Sequence, residues 1–173
     1  MLAVLPNRFG KYGLTIHPDK TRLLPFRRLN RSPSTADCQR EPQPESFDFL
    51  GFTHYWSRSK KGNWVVKRKT AGSRFHRAVT RIGAWRQLNR HLPVGEQHRN
   101  LWLKLRGHFA YYGVIGNLVC LQRFRYEAVR LWRKWLSRRK RRGQFTWARL
   151  NGLLKALPLP WPRALASPRA ASP

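Results

Sequence analysis

Lysine and arginine recur in this chain at spacings suited to holding a run of phosphates. Lys67, Arg68 and Lys69 stand in a row, and Arg74, Arg77 and Arg81 follow at intervals of three and four. Arg138, Arg139, Lys140, Arg141 and Arg142 form an unbroken run. Intervals of three and four put side chains on one face of a helix, so the middle group predicts a cationic stripe. Such a stripe binds nucleic acid by displacing counterions from its phosphates, with a steep salt dependence. Trp56, Trp64 and Tyr111 lie among these cations, and an exposed ring beside a cation can stack on an unpaired base. Two or three cations at a helix C-terminus would only complement its dipole, but five in succession exceed that. Trp132 and Trp135 fall on a helical stripe and are assigned to the core instead.

Other chemistries find little support. The histidines at 17, 54, 76, 91, 98 and 108 form no HxxxH or HExxH pattern and have no cysteine or acid at ligand spacing. A zinc site is therefore not expected. No GxSxG elbow marks a serine hydrolase. Cys38 and Cys120 make no disulfide framework, which fits a reducing compartment. The seven acids include no adjacent pair, whereas two-metal phosphoryl transfer needs clustered carboxylates.

These residues sit in a chain of 173 with a formal net charge of +29, yet 41% of it is hydrophobic. That is enough apolar surface to order a fold rather than leave a disordered polycation. Residues 1–50 hold eight basic and five acidic residues; residues 51–173 hold twenty-eight and two. The second part thus carries the electrostatic footprint of a polyanion-binding protein. The N-terminus does not read as a signal peptide, and no run of about 18 apolar residues exists. A cytoplasmic location without membrane association is expected.

The elements that must position the cations follow from periodicity. Leu2, Leu5 and Phe9 predict a short helix stopped by Gly10 and Gly13, with strands at 14–16 and 21–26. Residues 30–46, rich in proline, serine and charge, predict a linker. Phe47 to Phe52 predicts a strand with a bulge or a close backbone approach at Gly51, and Trp64 to Lys67 a hairpin partner for Phe52 to Trp56 beyond the Lys60-Lys61-Gly62-Asn63 turn. From Ser73, a plausible N-cap, the period becomes helical. Helices are predicted from Ser73 to before Pro93, around Leu101, Leu105 and Tyr112 as far as Gly113, and from about Val119 to Arg142. The stripe of the last is Leu121, Phe124, Ala128, Leu131, Trp132 and Trp135. Thr146 predicts the cap of a fourth, with Trp147, Leu150, Leu153, Leu154 and Leu157 inside. Pro158, Pro160 and Pro162 then predict an extended tail. The expected class is α+β: a small β-module followed by a mainly α-helical bundle.

Several segments in order add a resemblance. Gly13-Leu14-Thr15-Ile16-His17-Pro18-Asp19-Lys20-Thr21 and Phe47-Asp48-Phe49-Leu50-Gly51-Phe52 resemble two consecutive blocks of bacterial group II intron reverse transcriptase-maturases. Leu105-Arg106-Gly107-His108-Phe109-Ala110-Tyr111-Tyr112-Gly113-Val114 resembles the signature of the maturase-specific domain, and Thr146 through Arg163 is similar to the family's C-terminal end. The resemblance covers about residues 2 to 165. It implies a residual palm over 1–70, a thumb and maturase-specific helical domain over 71–165, and a disordered tail over 166–173. It makes Lys20 the palm lysine near the incoming triphosphate and Phe49, Leu50 and Gly51 part of a primer-grip turn. Arg106, His108 and Tyr111 join the basic residues as contacts to intron RNA or template-primer duplex.

The family's paired catalytic aspartates have no counterpart here. The implied role is therefore that of a C-terminal fragment that binds group II intron RNA and assists splicing, inactive alone as an RNA-directed DNA polymerase. The Mg2+ of the family would have no carboxylate pair to hold it in this chain, so no cofactor is expected. The chain can also be read as half of a split reverse transcriptase completed by an upstream palm and fingers polypeptide. A third reading is an unrelated basic RNA-binding protein of ribosomal type.

Overall fold

The computed structural model describes residues 4–17, 21, 26, 46–59, 61–139 and 145–164. Lys20, Lys140, Arg141, Arg142, linker residues 30–45 and the 166–173 tail lie outside them. Among the described residues the architecture is α+β, with five helices and one three-stranded antiparallel sheet. No described helix is long and apolar enough to cross a membrane. The chain divides into two compact units, Met1–Glu45 and Ser46–Pro173. The sheet thus groups with the helices; the charge asymmetry suggests a division near residue 50 and the resemblance one near residue 70.

In the first unit α1 (Val4–Gly10) has no buried residue. Leu14-Thr15-Ile16 is not the expected strand. Leu14 N–H donates to the Phe9 carbonyl at 3.1 Å, with Gly13 at φ 68°, so these backbone groups finish the helix end instead of a ladder. Thr21 closes a turn onto the His17 carbonyl through both its N–H and its hydroxyl. Thr21 and Phe26, the ends of the second expected strand, lie in no strand, and 22–25 are outside the described residues.

The second unit begins with β1 (Ser46–Phe49), β2 (Phe52–Arg58) and β3 (Trp64–Thr70) in the order β1-β2-β3. The expected bulge at Gly51 is instead a two-residue hairpin. Phe49 pairs with Phe52, and Leu50 and Gly51 between them have φ of 49° and 83°. Two positive φ values in succession reverse the chain with the twist a hairpin needs. The β2–β3 hairpin forms as expected: Ser59 N–H donates to the Asn63 carbonyl at 2.8 Å, and Gly62 has φ 81°.

Four helices follow: α2 (Gly72–Leu88), α3 (Val94–Tyr112), α4 (Leu118–Ser137) and α5 (Trp147–Ala156). Ser73 does not cap α2. Ala71 holds the cap position without a side-chain bond, and its N–H donates to the Gly51 carbonyl. The end of the sheet therefore sets the start of the helix. Helix α3 stops at Gly113, where a Cβ would collide with the Phe109 carbonyl oxygen. Helix α4 ends at Ser137, short of the expected Arg142; the Ser137 hydroxyl accepts the Phe145 N–H at 3.1 Å and draws the chain toward α5. Thr146 caps α5 as expected, accepting the Arg149 N–H.

The core contains Ile82 of α2, Leu101, Leu105 and Phe109 of α3, and Leu121, Phe124, Ala128, Val129, Trp132 and Leu136 of α4, closed by Leu150 and Leu159. Trp132 and Trp135 are buried, as their helical spacing predicts, but Trp147 is exposed rather than inside. Two polar hubs fix the register. Gln97 accepts from Arg86 Nη1 at 2.9 Å and from Trp132 Nε1 at 3.1 Å, and donates to the Arg90 and Leu92 carbonyls. Arg86 lies buried between the rings of Trp85 and Trp132, and burial lowers its pKa to about 9. Asn117 accepts the Thr70 N–H and donates to the Thr70 hydroxyl and the Tyr112 carbonyl, each at 2.8 Å. Buried polar groups so paired specify one arrangement, because any other leaves them unsatisfied.

Candidate nucleic-acid interface

Arg74, Arg77 and Arg81 occupy one face of α2, as their spacing predicts, and line a cleft of about 370 Å³. From α3 the opposite wall receives Lys104, His108 and Tyr112, again at helical spacing. Ala78, Ile82 and Phe124 complete the lining, which among the described residues includes four cations and no carboxylate. All four cations are exposed to solvent at the cleft, where one anionic group could meet several of them together.

His108 is not one of those cations. Its ring stacks on Phe124 at 3.7 Å between centroids and lies 4.6 Å from Tyr112. Burial pushes its pKa down to about 4, so the neutral ring belongs to the cleft wall and packs it. The cation that α3 does bring to the cleft is Lys104, one turn earlier, with its ammonium 5.1 Å from the Trp85 ring. Lys104 escaped the sequence reading because it belongs to no basic run; its i, i+4, i+8 relation to His108 and Tyr112 was the available signal.

At one end the cleft meets the β1–β2 hairpin tip. A Cβ on Gly51 would stand 3.1 Å from the Tyr112 hydroxyl and 3.7 Å from Arg74 Cγ. The Tyr111 hydroxyl donates to the Leu50 carbonyl at 3.0 Å. Burial raises the pKa of Tyr112, aided by Tyr111 and opposed by Arg74. Phe49 and Leu50 remain exposed, Leu50 at 68%. A leucine in the left-handed region is strained, and at this site a hydrogen bond holds it with its side chain outward. The structure thus brings together Phe49, Leu50, Gly51, Arg74, Arg77, Arg81, His108 and Tyr111.

The remaining sequence-predicted residues lie elsewhere. Lys67 and Lys69 share a sheet face with Tyr55, Lys69 lying 5.1 Å from its ring, while Arg68 is on the opposite face, paired with His54. Arg106 lies over Trp102, turned about 200° around α3 from Lys104. Arg138 lies over Trp135, and Arg139 donates to the Leu92 and His91 carbonyls. Arg139 thereby fastens the α2–α3 turn. Trp56 and Trp64 are half-buried, whereas Tyr111 is exposed as a stacking ring requires. No protein-family model, curated protein or solved structure matches this chain. The cleft's own chemistry, cationic and without acids, favours a polyanion.

Proposed function

We propose that the Ser46–Pro173 unit binds structured RNA along the α2–α3 cleft, as the thumb and maturase-specific region of a group II intron reverse transcriptase-maturase would. The observation that carries this reading is the convergence of Arg74, Arg77, Arg81 and Lys104 on one carboxylate-free cleft beside the exposed Phe49-Leu50 tip. The signature residues 105–114 divide in a way that suits it. Leu105 and Phe109 go to the core, while His108, Tyr111 and Tyr112 turn to the cleft and the tip. Phosphates would sit over the cations, and the apolar tip would rest against the strand end or a sugar edge, the part a primer grip plays.

The chain's contribution on this reading is binding, with its seven acids unpaired along the sequence. Filter binding to a group II intron RNA across a salt series should give log affinity falling with log salt, with a slope of at least about −3 for three or more phosphate contacts. A flat salt series would contradict the reading. Primer extension with Mg2+ should give no nucleotide addition from this chain alone; addition would assign it catalysis as well.

A further inference from the structure

A second basic region lies on α4 and α5, made by Tyr126, Arg130, Arg133, Lys134, Arg138 and Trp147 around a depression of about 580 Å³. It differs from the cleft in carrying aromatic faces. The Tyr126 and Trp147 rings are nearly parallel, 11° apart in plane with centroids 6.3 Å apart. Tyr126 is 55% exposed and Trp147 39%. Both rings keep a large part of their surface in water. Arg133 lies 4.6 Å from the Trp147 ring and donates to the Phe145 carbonyl, which fixes the indole. Arg130 is paired with Glu127 at 2.7 Å. Lys134 and Arg138 stay exposed at the edge of the depression, Arg138 lying over Trp135.

We infer that this surface is a site for an unpaired RNA nucleotide, its base stacked on Tyr126 and its flanking phosphates held by Lys134 and Arg138. Bases within a duplex present no free face, so a stacking platform selects single strands, loops and ends. The centroid separation of 6.3 Å is an upper limit on the gap between the ring planes. A base inserted between them would need two stacking spacings, about 6.8 Å. The base therefore adds to the outer face of Tyr126, and Trp147, steadied by Arg133, backs that ring. The site rests on the RNA-binding reading above and adds to it a preference for unpaired nucleotides at a place separate from the α2–α3 cleft.

The test compares a single-stranded oligoadenylate with an RNA duplex of equal length, using the full chain and fluorescence anisotropy. Tyr126→Ala should weaken single-strand binding about tenfold, in the range of one lost base stack, and leave duplex binding and the single-strand salt slope unchanged. Tyr126→Phe should retain the affinity. Lys134→Ala should lower the salt slope by about one. Equal loss on both probes, or no loss on either, overturns the site. Failure of the unsubstituted chain to bind either probe overturns the RNA-binding reading itself. Duplex binding that persists while Tyr126→Ala has no effect on the single strand sinks only this inference. Circular-dichroism melting of each variant separates lost contact from lost fold.

Discussion

Arg74, Arg77 and Arg81 line the α2–α3 cleft together with Lys104, itself 5.1 Å from the Trp85 ring, with no carboxylate among the described lining residues, whereas on α4 Arg130 is paired with Glu127 and Arg133 lies on Trp147. The rings differ in the same sense. Around the cleft, His108 and Phe124 are packed face to face and half-buried or buried; on α4 and α5, Tyr126 and Trp147 present faces to solvent. The cleft floor hides its aromatics and leaves exposed rings, Phe49 and Tyr111, only at its hairpin end, whereas the α4–α5 depression shows its rings and engages part of its charge. Equal numbers of basic residues can therefore build different surfaces, according to what lies beside each cation. The deciding variable is what each cation's neighbours leave free.

The largest effect should come from the scaffold both regions share. Gln97→Leu removes the acceptor of Arg86 and Trp132 and should cost about 3–5 kcal/mol, as breaking a buried charged network does. Thermal unfolding would show it, and both RNA probes should lose affinity together at temperatures where the variant is partly unfolded. Adding Arg86→Met should recover much of the stability, because an apolar replacement leaves no unpaired charge. A loss confined to one probe would show that the two regions do not share this support.

Reversing the cleft charges comes next. Arg74→Glu, Arg77→Glu and Arg81→Glu together should lower duplex RNA affinity about 100-fold at ~0.1 M salt and flatten the salt slope by about three. The Tyr126-dependent difference between single strand and duplex should survive. Its disappearance would merge the two regions into one site.

A pH series separates wall from cation. His108 has a folded pKa near 4 against about 6.5 unfolded. As pH falls from 6.5 toward 4 the unfolded chain takes a proton that the folded one refuses, so stability is lost over that window and is fully present above it. His108→Phe should remove roughly 1–2 kcal/mol of the difference in stability between pH 7 and 5, read by denaturant unfolding. RNA affinity should show no His108-dependent rise between pH 7.5 and 5.5. Such a rise, absent in the variant, would make His108 a phosphate ligand.

The smallest effect concerns the tip. Leu50→Asn puts a residue that tolerates positive φ where leucine has φ 49°, and should raise stability by about 0.5–1 kcal/mol. RNA affinity should fall a few-fold through the lost apolar contact. An unchanged melting temperature would mean that the turn carries no strain.

Much of this comparison was legible before any fold was known. The α2 stripe, the burial of Trp132 and Trp135, the Thr146 cap and the β2–β3 hairpin all follow from local spacing and turn chemistry. The misreadings share a cause. One glycine among aromatics suggests a bulge or a close backbone approach; the close approach to Tyr112 is there, but the bulge is a hairpin turn because Leu50 also adopts positive φ, and a leucine gives no local sign of that. Ser73 had the chemistry of a cap, yet Ala71, bonded to the Gly51 carbonyl, takes the cap position two residues earlier. Trp147 was placed inside because it begins an apolar stripe, while its position across from Tyr126 depends on where the chain re-enters after α4.

By itself the sequence determined the cationic excess and the periodic faces, because net charge and i, i+3, i+4 spacing are read along the chain. Only the tertiary structure decided which cations are free. It set Lys104 across from the α2 arginines, withdrew His108 from titration near neutral pH, and committed Arg86, Arg133 and Arg139 to rings and carbonyls. Those outcomes depend on burial and on hydrogen-bond partners eleven to forty-eight residues away along the chain, and no local pattern encodes them.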